Sequence, residues 1–138
     1  MKGMALSAEM SRVLWEQPKA VMLTKTKYRP GEVVYVKEPW RIGAWLEDEA
    51  RIAVDYKDFI RKEWLDVQDG ILFERLWKES TDDAEKVYGR QEGYIWKPGE
   101  SPCRWRSPVS MPAFVSRLHL RIVSVRPERY ELEEAWRA

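Results

Sequence analysis

The sequence predicts a small α+β protein, rich in β-structure, that folds as one domain over residues 1–138. Its length suits a single hydrophobic core. Runs of β-branched and aromatic residues recur at 32–38 and 116–125, and proline or glycine lies close to each of them. Hydrophobic residues make up 44% of the chain and charged residues 34%, which excludes a disordered tail and a membrane protein.

The net charge and the small number of cysteine and histidine residues limit the kinds of binding site and catalytic site that this chain can form. The net charge is +1, so a nucleic-acid partner would need a local basic cluster. Cys103 is the only cysteine and His119 the only histidine, so an intramolecular disulfide and a Cys/His metal cluster are excluded. We therefore expect no metal and no cofactor. Glu9 and Arg12 interrupt the apolar residues near the N-terminus, which argues against a signal peptide or membrane span and for a cytoplasmic protein.

The first predicted helix covers residues 8–15. Ser7 precedes it as an N-cap, since its hydroxyl can accept from an unpaired backbone N–H, and Pro18 should end it. Met10, Val13 and Leu14 lie at helical spacing and form the expected apolar face.

Four strands are predicted. The turn at Pro30 and Gly31 leads into a β-branched strand at 32–38, residues 20–24 form a short strand or connector, and residues 51–56 alternate polar and apolar. Residues 116–125 form the longest strand, with Leu118, Leu120 and Ile122 on one face and Arg117, His119 and Arg121 on the other. Val123 and Val125 break this alternation, which predicts a bulge or a stretch buried on both faces.

Residues 58–89 have helical spacing and predict a helical insertion between strands. Its three helices are marked by Ile60, Trp64 and Val67, then Leu72, Leu76 and Trp77, then residues 81–88 followed by Gly89. The tail at 131–136 predicts another short helix.

Three segments of the chain have distinctive motifs: the opening helix at 6–14, the Pro-Gly-Glu strand ending in Glu-Pro-Trp at 30–40, and the Trp-Arg-Ser-Pro…Met-Pro…Ser-Arg signature at 105–120. Together they resemble a family of small phage and prophage proteins related to ASCH domains, within the PUA-like superfamily. The resemblance covers about half of the chain, in the family's order, and leaves the insertion unaccounted for.

This resemblance implies a small, mostly antiparallel β-barrel with peripheral helices and a cleft at one rim. Relatives use that cleft for RNA or modified bases. Family members continue into a further helix and a closing strand, which this sequence lacks after residue 125. We therefore expect the barrel to be closed either by the insertion or by a second subunit, and the second alternative is a homodimer.

The leading hypothesis is a non-enzymatic module that binds RNA, DNA or a modified nucleoside at the barrel rim. Indoles stack on bases, and guanidinium groups bind phosphates and the guanine edge. The candidate residues are Trp40, Arg104, Trp105, Arg106, Ser107, Ser116 and Arg117. The structural alternative is that Trp40 and Trp105 cap the barrel ends while Arg117 pairs with Glu38.

Two other functions stay open. One ASCH branch hydrolyses N4-acetylcytidine with a Lys-x-x-Thr pair and a glutamate, and here Lys19 and Glu38 would be the catalytic residues. Met22 stands where that threonine belongs, and Thr24 comes two residues later, a shift of about 7 Å along a strand. The other function is a phage protein that binds a host protein through the apolar residues of the insertion.

Overall fold

A computed structural model describes residues 1–16, 21–23, 28–57, 59–126 and 129–137. Within these ranges the chain forms eight strands and two α-helices. They are β1 Lys2–Ala5, α1 Ala8–Glu16, β2 Val21–Leu23, β3 Val33–Lys37, β4 Trp40–Leu46, β5 Arg51–Tyr56, β6 Phe59–Asp66, α2 Gly70–Tyr88, β7 Leu118–Arg126 and β8 Arg129–Arg137. The chain divides into two compact units, which we call unit 1 (residues 1–38 and 108–138) and unit 2 (residues 39–107).

Unit 1 is built on a five-stranded sheet in the order β1-β3-β7-β8-β2. The β1–β3 pair is parallel, and the other three pairs are antiparallel. Its core combines apolar residues of this sheet with residues from α1 and from the turn before β3. They are Met4, Leu14, Tyr28, Val34, Val36, Leu118, Leu120 and Ile122.

Helix α1 begins as the sequence predicts. The backbone N–H of Met10 donates to the Ser7 hydroxyl at 3.2 Å, which confirms the N-cap. Leu14 is fully buried, but Val13 is 45% exposed, so its assignment to the apolar face was wrong. The reason is that the buried side of α1 passes through Ser11 and Leu14, three residues apart, and Val13 lies to one side of that line.

The C-terminal segment differs from its prediction. Residues 131–136 belong to strand β8, not to a helix, so a further strand follows β7 where the sequence predicted none. The β7–β8 ladder runs from Leu118↔Arg137 to Arg126↔Arg129, so strand pairing overrides the local helical preference. The register shifts on both sides of Ile122, which confirms the predicted irregularity there.

Unit 2 contains a three-stranded antiparallel sheet in the order β4-β5-β6. Strand β5 has the bounds that the sequence predicts, and all of its residues from Ile52 to Tyr56 are buried. A register shift in β4 between Ile42 and Ala44 makes Gly43 a bulge residue.

The predicted helical insertion is only partly helical. Residues 59–66 form strand β6, which pairs with β5 from Arg51↔Asp66 to Tyr56↔Phe59, so the first of the three helices predicted for the insertion was wrong. A short apolar run at helical spacing is ambiguous in period, and the open edge of β5 decided it. The other two predicted helices are one helix, α2, which begins at the Asp69 cap and ends at Gly89 with φ 78°.

The fold class is therefore α+β and rich in β-structure. In the described part of the chain, β1 and β2 stand at the two edges of the five-stranded sheet, and no strand pair closes it into a barrel. No helix within the described ranges is both long and apolar enough to cross a bilayer.

Candidate functional site

Glu38 and Arg117 form a buried, bidentate ion pair in unit 1. The Arg117 Nε donates to Glu38 Oε2 at 3.1 Å, and Nη2 donates to Oε1 at 2.7 Å. The two residues are 1% and 5% exposed. This confirms the pairing that the sequence left open as the structural role of Arg117, and such fork-to-fork pairs have strict geometry.

The neighbours of this pair hold it in place. The Arg117 guanidinium lies 4.7 Å from the centre of the Trp15 ring, on α1. Ser116 is also buried, and its hydroxyl donates to the Val36 carbonyl at 2.8 Å. The end of β3 and the start of β7 are thereby tied together by side chains from both motif segments.

The hydrolase hypothesis gains little from this geometry. Lys19 lies outside the described residues, as does Thr24. Glu38 has both carboxylate oxygens bonded to Arg117, so it is not presented to a substrate. Its observed role is to neutralise a buried guanidinium.

The predicted basic cluster is bound to helix α2. The Arg104 Nε lies 3.2 Å from Asp83 Oδ2, and the Arg106 Nη1 lies 2.7 Å from Glu79 Oε2. Glu79 and Asp83 are four residues apart and share one face of α2. Since both guanidinium groups are paired, they attract phosphates less than free cations would. Ser107, the next residue, is exposed.

The two tryptophans of the signature segments have different surroundings. Trp40 is 2% exposed, and the Arg106 guanidinium lies 5.3 Å from its ring centre. Trp105 is half-buried, with the Arg41 guanidinium at 4.5 Å and the Lys57 ammonium at 5.6 Å from its ring centre. Trp40 has no face open to a ligand, and cations already contact Trp105.

The single cysteine and the single histidine are both at least partly buried, and burial shifts the pKa of each. Burial raises the pKa of the Cys103 thiol above its usual range, although its hydrogen bonds with Ser101 and Ser80 act in the opposite direction. The thiol is therefore a poor nucleophile. Burial also lowers the pKa of His119, which is half-buried on β7.

Unit 2 also contains an open cavity of about 550 Å³, which we call the aromatic groove. Its walls come from the end of β4, from α2 and from the loop at 91–96. They contain the half-buried rings of Trp45, Trp77, Tyr94 and Trp96. The volume is within the range that holds a drug-sized ligand.

Hydrogen bonds and ring contacts organise the groove. The Trp96 indole N–H donates to the Gly43 carbonyl at 2.9 Å, so the β4 bulge anchors this ring. The Trp45 and Trp96 rings are 5.6 Å apart and inclined by 56°, which makes them two walls of a corner. The Tyr94 hydroxyl donates to the Gly89 carbonyl at 3.2 Å, which ties the loop to the end of α2.

Beneath the bulge lies a second buried ion pair. The Arg41 Nε is 2.9 Å from Asp55 Oδ2, and the Arg41 Nη2 donates to the Gly99 carbonyl at 2.7 Å. A Cβ at position 43 would lie 2.6 Å from Asp55 Oδ1, so only glycine leaves room for this carboxylate. Gly43 therefore accommodates Asp55 and also accepts the Trp96 hydrogen bond.

The sequence did not single out the groove residues. The sequence's only signal for them is the count of eight tryptophans, and large aromatic side chains are as typical of a core as of a binding surface. Among the seven whose side chains are described, Trp40 alone is fully buried. Partly exposed indoles that are grouped in one cavity, rather than scattered over the surface, favour a binding site.

No family model, curated protein or solved structure matches the chain. The residues and distances above are therefore the basis for a functional assignment.

Proposed function

We propose that this protein is a non-enzymatic module that binds a modified nucleobase, free or within RNA or DNA. The observation that carries the proposal is the aromatic groove, where four half-buried rings line one cavity. The bound base would stack on an indole face, an interaction of about 1–3 kcal/mol per base.

The groove, rather than the predicted rim, is the ligand site in this proposal. Glu38, Arg117, Arg104 and Arg106 are each bonded to another side chain, whereas the groove rings keep exposed surface. The side chains of Thr81 and Gln91 also line the cavity. They donate to the Trp77 and Tyr88 carbonyls, so their oxygens are the atoms that could accept a hydrogen bond from a base.

Titration of nucleosides and short single strands, followed by tryptophan fluorescence and calorimetry, tests the proposal. Trp96→Leu should weaken binding at least tenfold, because it removes one stacking surface. Trp64→Leu is the matched control, since Trp64 is 39% exposed in the same unit and does not line the groove.

Two results would reject this assignment. The first is a folded protein that binds no nucleoside, RNA or DNA. The second is binding that survives Trp96→Leu but is lost in Trp105→Leu, which would return the site to the predicted rim.

We further propose that unit 1 is a variant of the PUA/ASCH-like barrel. The support is the order of the motif segments and the Glu38–Arg117 pair, which joins two of them. Backbone contacts between the edge strands β1 and β2 in an NMR study would establish closure, and fully assigned edges without such contacts would refute it. A nucleobase ligand also implies a cytoplasmic location, in a bacterial host if the protein is of phage origin.

A further inference from the structure

The groove combines aromatic walls with uncompensated negative charge. Glu47 and Glu92 line it, and both are exposed. No Lys, Arg or His is among the lining residues, and no cation in the described part of the chain pairs with either carboxylate. A site for phosphate has the opposite composition, with arginine, lysine or clustered backbone N–H groups.

We infer that the groove selects a positively charged, N-methylated nucleobase within a nucleoside or a strand, such as 3-methylcytosine or 1-methyladenine. This inference rests on the proposed function and names its ligand class. Methylation at these ring nitrogens of a nucleoside makes the base basic enough to be protonated, and so positively charged, at neutral pH. A cation facing an indole is attracted by the ring's π-electrons, and Glu47 and Glu92 add a Coulombic attraction.

The geometry agrees with a charged base. The Trp45 and Trp96 rings contact each other, with centres 5.6 Å apart and planes inclined by 56°, so a base stacked on one indole lies beside the second ring. Both rings can then interact with the same delocalised charge, and this cation–π attraction adds to the stacking that any base would gain.

The size of the cavity favours a nucleoside over a small alkylammonium ion. A space of about 550 Å³ is within the range that encloses a whole drug-sized ligand. A methylated lysine side chain has the right charge but fills little of it. The phosphates of a longer strand would lie outside the groove, away from the two carboxylates.

Isomeric nucleosides vary the charge at nearly constant size. The neutral forms of 3-methylcytidine and 5-methylcytidine have the same formula, but only the first takes up a proton and becomes cationic at neutral pH, and 1-methyladenosine and N6-methyladenosine form a second such pair. We expect the cationic isomer of each pair to bind about tenfold more tightly in calorimetry. The Glu47→Gln, Glu92→Gln double variant should reduce this preference to about twofold.

Each other outcome is decisive. Equal affinity for the two isomers, with binding still lost in Trp96→Leu, overturns the charge selection and leaves the proposed function intact. If neither isomer of either pair binds but another nucleoside does, this inference fails and the proposed function stands; if no nucleoside, RNA or DNA binds, both fail. Equally tight binding of a trimethyllysine peptide would overturn the nucleobase assignment in favour of a methylammonium site. 3-Methylcytosine placed in RNA and in DNA strands then identifies the source of the base.

Discussion

At the scale of single residues, buried charge is the dominant feature of both units. Unit 1 contains the Glu38–Arg117 pair, and unit 2 contains the Arg41–Asp55 pair. Removing one partner of a buried pair leaves the other charge without compensation, which costs more than losing both. These pairs therefore constrain which substitutions each unit tolerates.

The first prediction concerns the pair in unit 1. Glu38→Gln or Arg117→Met alone should lower the free energy of unfolding by about 3–5 kcal/mol, because each leaves a buried charge unpaired. The double variant should lose less than the sum of the two, and denaturant titration of all four proteins measures the coupling. Additive losses would show that the two side chains do not interact in solution.

The second prediction concerns the glycine bulge. Gly43→Ala should lower the free energy of unfolding by about 1–3 kcal/mol, because its Cβ would lie 2.6 Å from Asp55 Oδ1. Gly70→Ala is the control, since its added Cβ would meet no atom within 4 Å beyond its chain neighbours and its own helix backbone. That variant should be unchanged or more stable by up to about 1 kcal/mol. Equal effects in thermal unfolding would contradict the close approach.

The third prediction is a pH dependence due to Cys103. Burial raises the pKa of the folded thiol, so the unfolded chain loses this proton first as the pH rises. The stabilisation due to the buried, protonated thiol is complete below the ordinary thiol pKa of about 8.5. Above that pH the free energy of unfolding declines, by at most about 1.4 kcal/mol per pH unit. The stability difference between wild type and Cys103→Ala, measured from pH 7 to pH 10, should therefore decrease. A constant difference would argue against the buried thiol.

At the scale of elements, two faces of helix α2 make different contacts within unit 2. Glu79 and Asp83 bind the arginines of the 104–106 segment, while Trp77 and Thr81 line the groove. Each pair is spaced four residues apart, so each lies on one face of the helix. Any change that loosens α2 should therefore affect the groove.

The fourth prediction concerns the start of α2. The Asp69 carboxylate accepts hydrogen bonds from the N–H groups of Ile71 and Leu72 at 3.0 and 3.1 Å. Asp69→Ala should lower the free energy of unfolding by about 1 kcal/mol. Glu74→Ala, which removes an exposed acid from the same helix, should change it by less than about 0.5 kcal/mol. Urea titrations compare the two, and equal losses would mean that the cap contributes nothing.

At the scale of the whole molecule, the charges are nearly balanced. There are 24 basic and 23 acidic side chains, and Arg41, Arg104, Arg106 and Arg117 are each paired with an acid. A phosphate track needs unpaired cations in a row. Any affinity for nucleic acid should therefore come from the base and its pocket.

The fifth prediction concerns the dependence of binding on salt. Affinity for a strand that carries the cognate base should fall at most about fourfold between 50 and 200 mM salt, the change for about one phosphate contact. Fluorescence titration at both salt concentrations measures the ratio. A fall of a hundredfold or more would indicate several phosphate contacts and contradict a site specific for the base.

Features that depend on neighbouring residues were determined by the sequence alone. The Ser7 cap, the bounds of β5, the irregularity in β7 and the end of α2 at Gly89 were all predicted. Each follows from local preferences of the backbone or from alternation along one strand. The Glu38–Arg117 pair was also anticipated, through the resemblance of the two segments that carry it.

Only the tertiary structure decided the remaining features. Residues 59–66 and 129–137 became strands because distant partners, β5 and β7, offered ladders that outweighed local helical preference. The groove unites Trp45 and Trp96, which are 51 residues apart in the sequence and meet through the Gly43 bulge. Local periodicity carries no information about such contacts, because they arise only when the strands, helix and loop of unit 2 pack together.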